Sequence, residues 1–162
     1  MPSATLSRSP DVLLPLSLAA HASGRATLVI MSTNPETPRW SALTARVWTT
    51  VIKPEAVTCG LVAGDDHVLL IDTGSAPEQG HALAMSAACM LGRPVDRVVV
   101  THHHYDHSGG LPGIDGAETW MHEAALAHCP DLWVDHPIAL MAYVDLGGIG
   151  AEVIHPGPAH TD

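Results

Sequence analysis

Metal-ligating side chains are concentrated in one segment in the middle of the chain, residues 101–110, which reads T-H-H-H-Y-D-H-S-G-G. Residues 95–100, directly before it, are mostly valine and predict a buried β-strand. Imidazole and carboxylate groups together favour zinc, with iron or manganese as alternatives. The order of strand, ligands and paired glycines therefore predicts a metal site at the end of a strand. We call residues 101–110 the ligand segment.

The spacing within the ligand segment predicts how its side chains divide between metal ions. In an extended chain every second side chain points the same way, so His102, His104 and Asp106 are expected to share one face. His107 follows Asp106 directly and points away from it unless the chain turns. One tetrahedral zinc ion does not readily collect all four side chains. We therefore predict two neighbouring ions, the first bound by His102 and His104. The second would be bound by Asp106 and His107.

A helix is predicted between residue 75 and the strand before the ligand segment. Residues 75–78 read S-A-P-E, a capping box that predicts a helix start at Ser75. Gly92 and Pro94 predict its end near Leu91. The residues whose helical spacing predicts the buried face are Leu83, Ala87, Met90 and Leu91.

Strands on both sides of this helix locate one further candidate residue. Three strands are predicted before the helix, at residues 45–52, 57–63 and 67–72. A strand–helix–strand unit predicts a crossover between parallel strands, which end at the same edge of a sheet. Asp72 is thereby placed beside the ligand segment, where it would orient a metal ligand or its loop. The alternative is that Asp72 only caps the turn at Gly74.

Three motifs in order carry a resemblance to a known family. The pattern H-x-H-x-D-H at residues 102–107 resembles the signature of the metallo-beta-lactamase superfamily. Residues 69–74, L-L-I-D-T-G, resemble the family's hydrophobic strand that ends in D-T-G. Residues 155–161, H-P-G-P-A-H-T, resemble its later P-G-x-x-H-T segment, whose histidine, here His160, is a zinc ligand. The resemblance covers about Thr44 to Asp162.

The resemblance implies a fold and a ligand set. The fold is α/β, an αββα sandwich of the metallo-beta-lactamase type, of which this chain would form mostly the N-terminal half: a mixed sheet with flanking helices. A family domain normally continues past His160 with a second half, which supplies the last histidine of the second metal. The chain is therefore expected to be C-terminally incomplete. The implied metal ligands are His102, His104 and His160 for one ion and Asp106 and His107 for the other.

The implied function is a zinc-dependent hydrolase with two Zn²⁺ ions in the complete site. A metal-bound hydroxide would attack an ester, thioester, lactone or lactam carbonyl of a small molecule. Asp106 is the implied catalytic residue, which would hold one zinc, orient the nucleophile and pass a proton to the leaving group. The alternative is a truncated, catalytically inactive metal-binding fragment of such a hydrolase. A half-sandwich would leave one sheet face uncovered, so a homodimer through that face is also expected.

Composition restricts the partners and the compartment. The chain has 162 residues, enough for one domain, and a formal net charge of −10, which argues against nucleic acid as a partner. No apolar run has the length of a membrane span. Its cysteines, Cys59, Cys89 and Cys129, do not form a disulfide framework, which favours a reducing, cytoplasmic location. All three are expected to be small buried hydrophobic residues.

The first 43 residues differ from the rest, so the predicted domain is 44–162. They are rich in Ser, Pro, Thr and Ala and predict a disordered leader. Residues 12–20 are apolar, and the A-H-A at 20–22 resembles a signal-peptide cleavage site, in which case the protein would be secreted. A further alternative is a working start at Met31.

Residues 117–143 hold three aromatic or imidazole side chains with open assignments. His122 is expected to end a strand and to bond the backbone rather than a metal. Trp133 and Tyr143 would either line a substrate pocket or belong to the core.

Overall fold

The computed structural model describes residues 37–157 and 160–161. Within these residues the strands are β1 (Ser41–Ala42), β2 (Val47–Ile52), β3 (Val57–Ala63), β4 (Val68–Ile71), β5 (Arg97–Val100), β6 (Glu118–His122), β7 (His136–Ile138), β8 (Met141–Asp145) and β9 (Gly150–Ile154). The helices are α1 (Pro77–Leu91), α2 (Tyr105–Ser108) and α3 (Glu123–Leu126), with one 3₁₀ turn at Leu111–Gly113. The predictions for the leader fall mostly on residues 1–36, which lie outside the described residues.

A seven-stranded mixed sheet, with its strands in chain order from β1 to β7, forms the centre of the fold. Strands β1 to β4 are antiparallel, and β4 to β7 are parallel. The predicted strands before and after the helix are confirmed, and so is the parallel crossover between β4 and β5, in which Leu70 pairs with Val98. The sheet already includes residues 41–42, and Trp40 donates a hydrogen bond to Ser86 on α1 at 3.0 Å. The sheet therefore begins before residue 44.

The predicted helix is present, but its start differs from the prediction. Its N-cap is Ala76 in extended conformation, without a side-chain hydrogen bond, so the capping box at Ser75 is wrong. Instead, the backbone N–H of Ser75 donates to Oε1 of Gln79 at 2.7 Å. The glutamine of the first turn thus satisfies the free N–H that the capping box assigned to Glu78. Gly92 ends the helix in left-handed conformation (φ 70°), as predicted.

Alternation along the strands divides the apolar side chains between the two faces of the sheet. Leu70, Val98 and Met121 belong to the core on the α1 side, where Leu83 and Ala87 of the helix are also buried. Met90 is 42% exposed, so its predicted place in the core is wrong, because the buried stripe runs through Gly80, Leu83 and Ala87 instead.

The other face of the sheet is covered by the β8–β9 hairpin. Val144 of this hairpin and Leu146 in its turn pack with Leu69, Val99 and Trp120 of the sheet. The outward face of the hairpin is formed by Met141, Tyr143 and Ile154, which are 57%, 61% and 58% exposed. We call these three residues the outer hairpin face.

Several side chains expected in the core are exposed. Trp133 is 82% exposed and Tyr143 lies on the outer hairpin face, so the core alternative is wrong for both. All three cysteines are free; Cys59 is buried, but Cys89 is exposed and Cys129 is only half-buried, so burial of all three is also wrong. Among the described residues, no helix is both long and apolar enough to cross a membrane.

Candidate metal centre

The ligand segment follows β5 and turns immediately instead of continuing as a strand. Helix α2 begins at Tyr105 with His104 as its N-cap residue, so Asp106 and His107 lie in a helical turn. The hydroxyl of Ser108 donates to the carbonyl oxygens of His103 and His104 at 3.2 and 3.1 Å, which holds the turn in place. The prediction of a shared extended face for His102, His104 and Asp106 is therefore wrong.

Three imidazoles nevertheless converge at the end of β5. One ligand atom from each of His102, His104 and His160 lies within 4.8 Å of the other two. Nδ1 of His104 and Nε2 of His160 face each other at 3.2 Å, although the residues are 56 positions apart. These are the three residues that the resemblance assigned to one metal ion.

The burial and protonation of the His102 imidazole are those of a metal ligand. Its Nε2 is buried and has no hydrogen-bond partner among the described residues. Burial lowers the pKa of His102, and the charge of His107 lowers it further, against an opposing effect of Asp72. A neutral imidazole with a free buried nitrogen is the form that binds metal ions. The residues present therefore fit a transition-metal ion such as zinc.

Asp106 and His107 lie directly beside this cluster. The ring of His107 is 4.0 Å from that of His102, centroid to centroid. Nε2 of His107 lies 3.7 Å from Oδ2 of Asp106, while its Nδ1 lies 2.8 Å from Oδ2 of Asp72. Among the described residues only the three-histidine group has the spacing of a complete metal site, so the second ion stays a prediction.

Asp72 lies beneath the ligand segment and is bonded to it. Its side chain is buried, and its backbone has a left-handed φ of 61°. The carboxylate accepts hydrogen bonds from the backbone N–H of Thr101 at 2.8 Å and from the Thr101 hydroxyl, and it lies within hydrogen-bond distance of His107. Its hydrogen bonds thus lead to the segment that carries the candidate ligands.

Two glycines allow backbone to pack on backbone around the site. A Cβ on Gly80 of α1 would collide with the carbonyl oxygen of Gly110, and a Cβ on Gly110 would collide with that of Thr73. Gly110 itself has an ordinary φ of −82°. Close approach, and not an unusual conformation, therefore requires glycine here.

Three further polar side chains at this edge of the sheet, His122, Tyr105 and Thr101, make hydrogen bonds. Nε2 of His122 lies 3.0 Å from the carbonyl oxygen of Ala139, so this histidine bonds the backbone as predicted. Two contacts were not anticipated: the hydroxyl of Tyr105 donates to Glu55 at 3.3 Å, and the Thr101 hydroxyl lies 3.0 Å from Nδ1 of His102. Nothing in the sequence singles out Thr101 or Glu55, because each contact depends on residues from separate elements or on the local turn.

A family model described as the metallo-beta-lactamase superfamily matches residues 52–162. The chain belongs to this superfamily, which confirms both the resemblance and the predicted α/β fold. The match includes the whole ligand segment and His160.

Solved structures show the same fold. A metallo-beta-lactamase from Pontibacter korlensis is 26% identical with a TM-score of 0.65, over 76% of this chain and 63% of that one. A metallo-beta-lactamase from Erythrobacter litoralis is 26% identical with a TM-score of 0.59, over 65% and 51%. The FIM-1 enzyme from Pseudomonas aeruginosa, in its mono-zinc form, is 20% identical with a TM-score of 0.57, over 64% and 51%. Thus the match spans between half and two thirds of each relative. No curated protein matches the chain.

Proposed function

We propose that this chain carries the metal site of a zinc-dependent hydrolase that cleaves an ester, thioester, lactone or lactam in a small molecule. The convergence of His102, His104 and His160 is the observation that carries the proposal. Superfamily membership supports a metal-dependent hydrolase in general. The choice of zinc is supported by the donor set, since three imidazole nitrogens are typical of catalytic zinc sites.

In this proposal the ligand segment binds the metal and handles protons. His102, His104 and His160 would hold one ion, and Asp106 and His107 would contribute to a second. A bound zinc ion supplies a Lewis acid that polarises the substrate oxygen and makes water acidic enough to react at neutral pH. Asp106 would accept a proton from the attacking water and deliver it to the leaving atom. Asp72 would keep His107 in its binding orientation.

The charge of the chain supports a small-molecule substrate. A net charge of −10 repels nucleic acids, whose phosphodiesters are the main competing substrate class. The exposed Tyr105 belongs to the ligand segment, and this residue and its partner Glu55 are candidates for substrate contacts. The cytoplasmic location stays a prediction.

The second candidate is a metal-binding fragment without catalytic activity. It is favoured by the incomplete ligand set of the second ion, because only Asp106 and His107 are available for that ion among the described residues. The two candidates agree on zinc binding and differ on turnover.

The test combines metal content with hydrolysis. Purified protein is analysed for zinc by elemental analysis and assayed with a chromogenic cephalosporin, a thioester, a lactone and an aryl ester. His104→Ala and His160→Ala are compared with His81→Ala, which removes an exposed histidine on α1. The hydrolase is supported if His104→Ala and His160→Ala lose zinc while His81→Ala keeps it, and if hydrolysis is lost in the same two variants. Zinc binding without hydrolysis supports the fragment, and wild-type protein without zinc overturns both.

A further inference from the structure

A hydroxyl group lies between the buried carboxylate and the first candidate ligand. Oγ1 of Thr101 is 2.9 Å from Oδ2 of Asp72 and 3.0 Å from Nδ1 of His102. The backbone N–H of Thr101 also donates to Asp72, at 2.8 Å, so the residue is held at two points. Asp72 therefore reaches His102 through Thr101, whereas it reaches His107 directly.

The direction of these hydrogen bonds follows from the number of protons available. A carboxylate only accepts, so the single hydroxyl proton of Thr101 points to Asp72. The Thr101 oxygen then faces His102 with a lone pair, and the ring must supply the proton between them. This assignment puts the proton of His102 on Nδ1 and leaves Nε2 without one. Nε2 of His102 is buried and is one of four buried side-chain atoms that have no hydrogen-bond partner among the described residues.

We propose that Thr101 is a positioning residue that selects the Nδ1–H tautomer of His102 and aims its Nε2 at the metal site. The proposal rests on the metal site proposed above. One buried carboxylate would then orient candidate ligands of both ions, His107 directly and His102 through a hydroxyl relay. Partners of this kind fix the tautomer and ring orientation of a ligand histidine, and their loss typically costs about 10–100-fold in metal affinity.

A matched set of variants tests the relay. Thr101→Val keeps the shape of the side chain but removes the hydroxyl, and Thr101→Ser restores the hydroxyl. Thr119→Val is the control, because Thr119 on the neighbouring strand β6 makes the same type of pair with Asp135, with its hydroxyl at 2.7 Å from the carboxylate. Zinc affinity is measured by competition with a chromophoric chelator. The tautomer of His102 is read from its ring ¹⁵N shifts in the metal-free protein.

We expect Thr101→Val to weaken zinc binding about 10–100-fold and to shift His102 toward a mixture of tautomers. Thr101→Ser should restore both properties, and Thr119→Val should change neither. The proposal is overturned by wild-type or Thr101→Ser protein whose His102 carries its proton on Nε2. It is equally overturned by a Thr101→Val variant with unchanged zinc affinity. If Thr101→Val does not fold, the tautomer in the wild-type and serine proteins decides.

A failure of the metal site itself would give a different result. Wild-type protein that binds no zinc refutes the proposed function, whereas the metal-free tautomer of His102 still reports on the role of Thr101. The two proposals are thus separated by the same samples.

Discussion

The backbone of Asp72 is strained at the point where the candidate site is anchored. A non-glycine residue with φ of 61° costs about 1–3 kcal/mol, and Asp and Asn are among the residues that tolerate it best. The strain is held by the hydrogen bonds to Thr101 and His107. The same hydrogen bonds join Asp72 to the ligand segment.

Asp72→Asn separates the charge of this residue from its backbone conformation. Asparagine accepts the same φ, but its NH₂ group cannot accept a proton donated by His107 or Thr101. We expect zinc affinity to fall about 10–100-fold, measured by chelator competition. Asp135→Asn, which alters a similar pair with Thr119 away from the site, should leave affinity unchanged. Equal losses in the two variants would contradict a specific role of Asp72.

The thiol of Cys59 should not react with thiol reagents in the folded protein. Burial and, to a smaller extent, the charge of Asp72 raise its pKa to about 12, against the opposing effect of a backbone hydrogen bond from Gly74. At pH 8 its thiol is therefore protonated and inaccessible, while Cys89 is exposed. We expect Ellman's reagent to modify Cys89 in native protein and Cys59 only after unfolding. Comparable native rates in single-cysteine variants would show that Cys59 is not buried.

The contact between α1 and the ligand segment reverses the usual effect of a glycine-to-alanine change. In an open helix this substitution stabilises by about 1 kcal/mol. At Gly80 the new methyl group would overlap the carbonyl oxygen of Gly110. We expect Gly80→Ala to lower the free energy of unfolding in urea and to weaken zinc binding. Ala82→Gly, in the same helix, measures the intrinsic cost of glycine; a stabilised Gly80→Ala protein would disprove the tight contact.

The beginnings of β4 and β5 are joined by a carboxylate whose stabilising effect depends on pH. Asp96 lies 2.6 Å from Nδ1 of His67 and accepts from the backbone N–H of Val68 at 2.9 Å. Burial acts to raise the pKa of Asp96, but these hydrogen bonds and the charges of His67 and Arg97 together lower it below its ordinary value. A carboxyl group whose pKa is lower in the folded protein than in the unfolded chain stabilises the fold at pH values above its unfolded-state pKa. This stabilisation is lost as the pH falls through its folded-state pKa.

Asp96→Asn should therefore reduce stability at pH 7, and its difference from wild type should shrink below about pH 4. The measurement is urea unfolding over a pH series. Asp131→Asn, at an exposed position, is the control, and its free energy of unfolding should differ from that of wild type by a small amount that does not change with pH. A difference for Asp96→Asn that does not change with pH would exclude this linkage.

Over the whole molecule, the outer hairpin face is the apolar surface that the predicted homodimer would use. The β8–β9 hairpin covers the sheet, so the exposed apolar side chains lie one layer further out than the sequence predicted. Contiguous exposed apolar surface favours association, while a net charge of −10 opposes it.

We expect this chain to self-associate, and more strongly at high salt, because salt screens the repulsion between acidic copies. Met141→Lys combined with Ile154→Lys should shift the protein toward monomer in sedimentation velocity. Met85→Lys, at an equally exposed methionine on α1, should not. A monomeric wild type at both salt concentrations would rule out the second copy as a partner.

Short-range patterns predicted much of the framework. The strand at 57–63, the end of α1 at Gly92 and the parallel crossover all follow from side-chain alternation, turn residues and chain connectivity. The start of α1 was misplaced because Gln79, and not Glu78, satisfies the free backbone N–H. Met90 was misplaced because the helix docks through Gly80, a contact that depends on Gly110 thirty residues later.

Residue types and their order were enough to predict which side chains could bind a metal, to place them after a strand, and to indicate the superfamily. Residue type and order carry this information, since ligand chemistry and strand pattern are local properties. The three-dimensional structure was needed to show that the ligand segment turns into α2, that His160 faces His104, and that Thr101 lies between Asp72 and His102. These arrangements depend on how β4, β5, α1 and the segment after β9 come together, and spacing along one strand does not encode them.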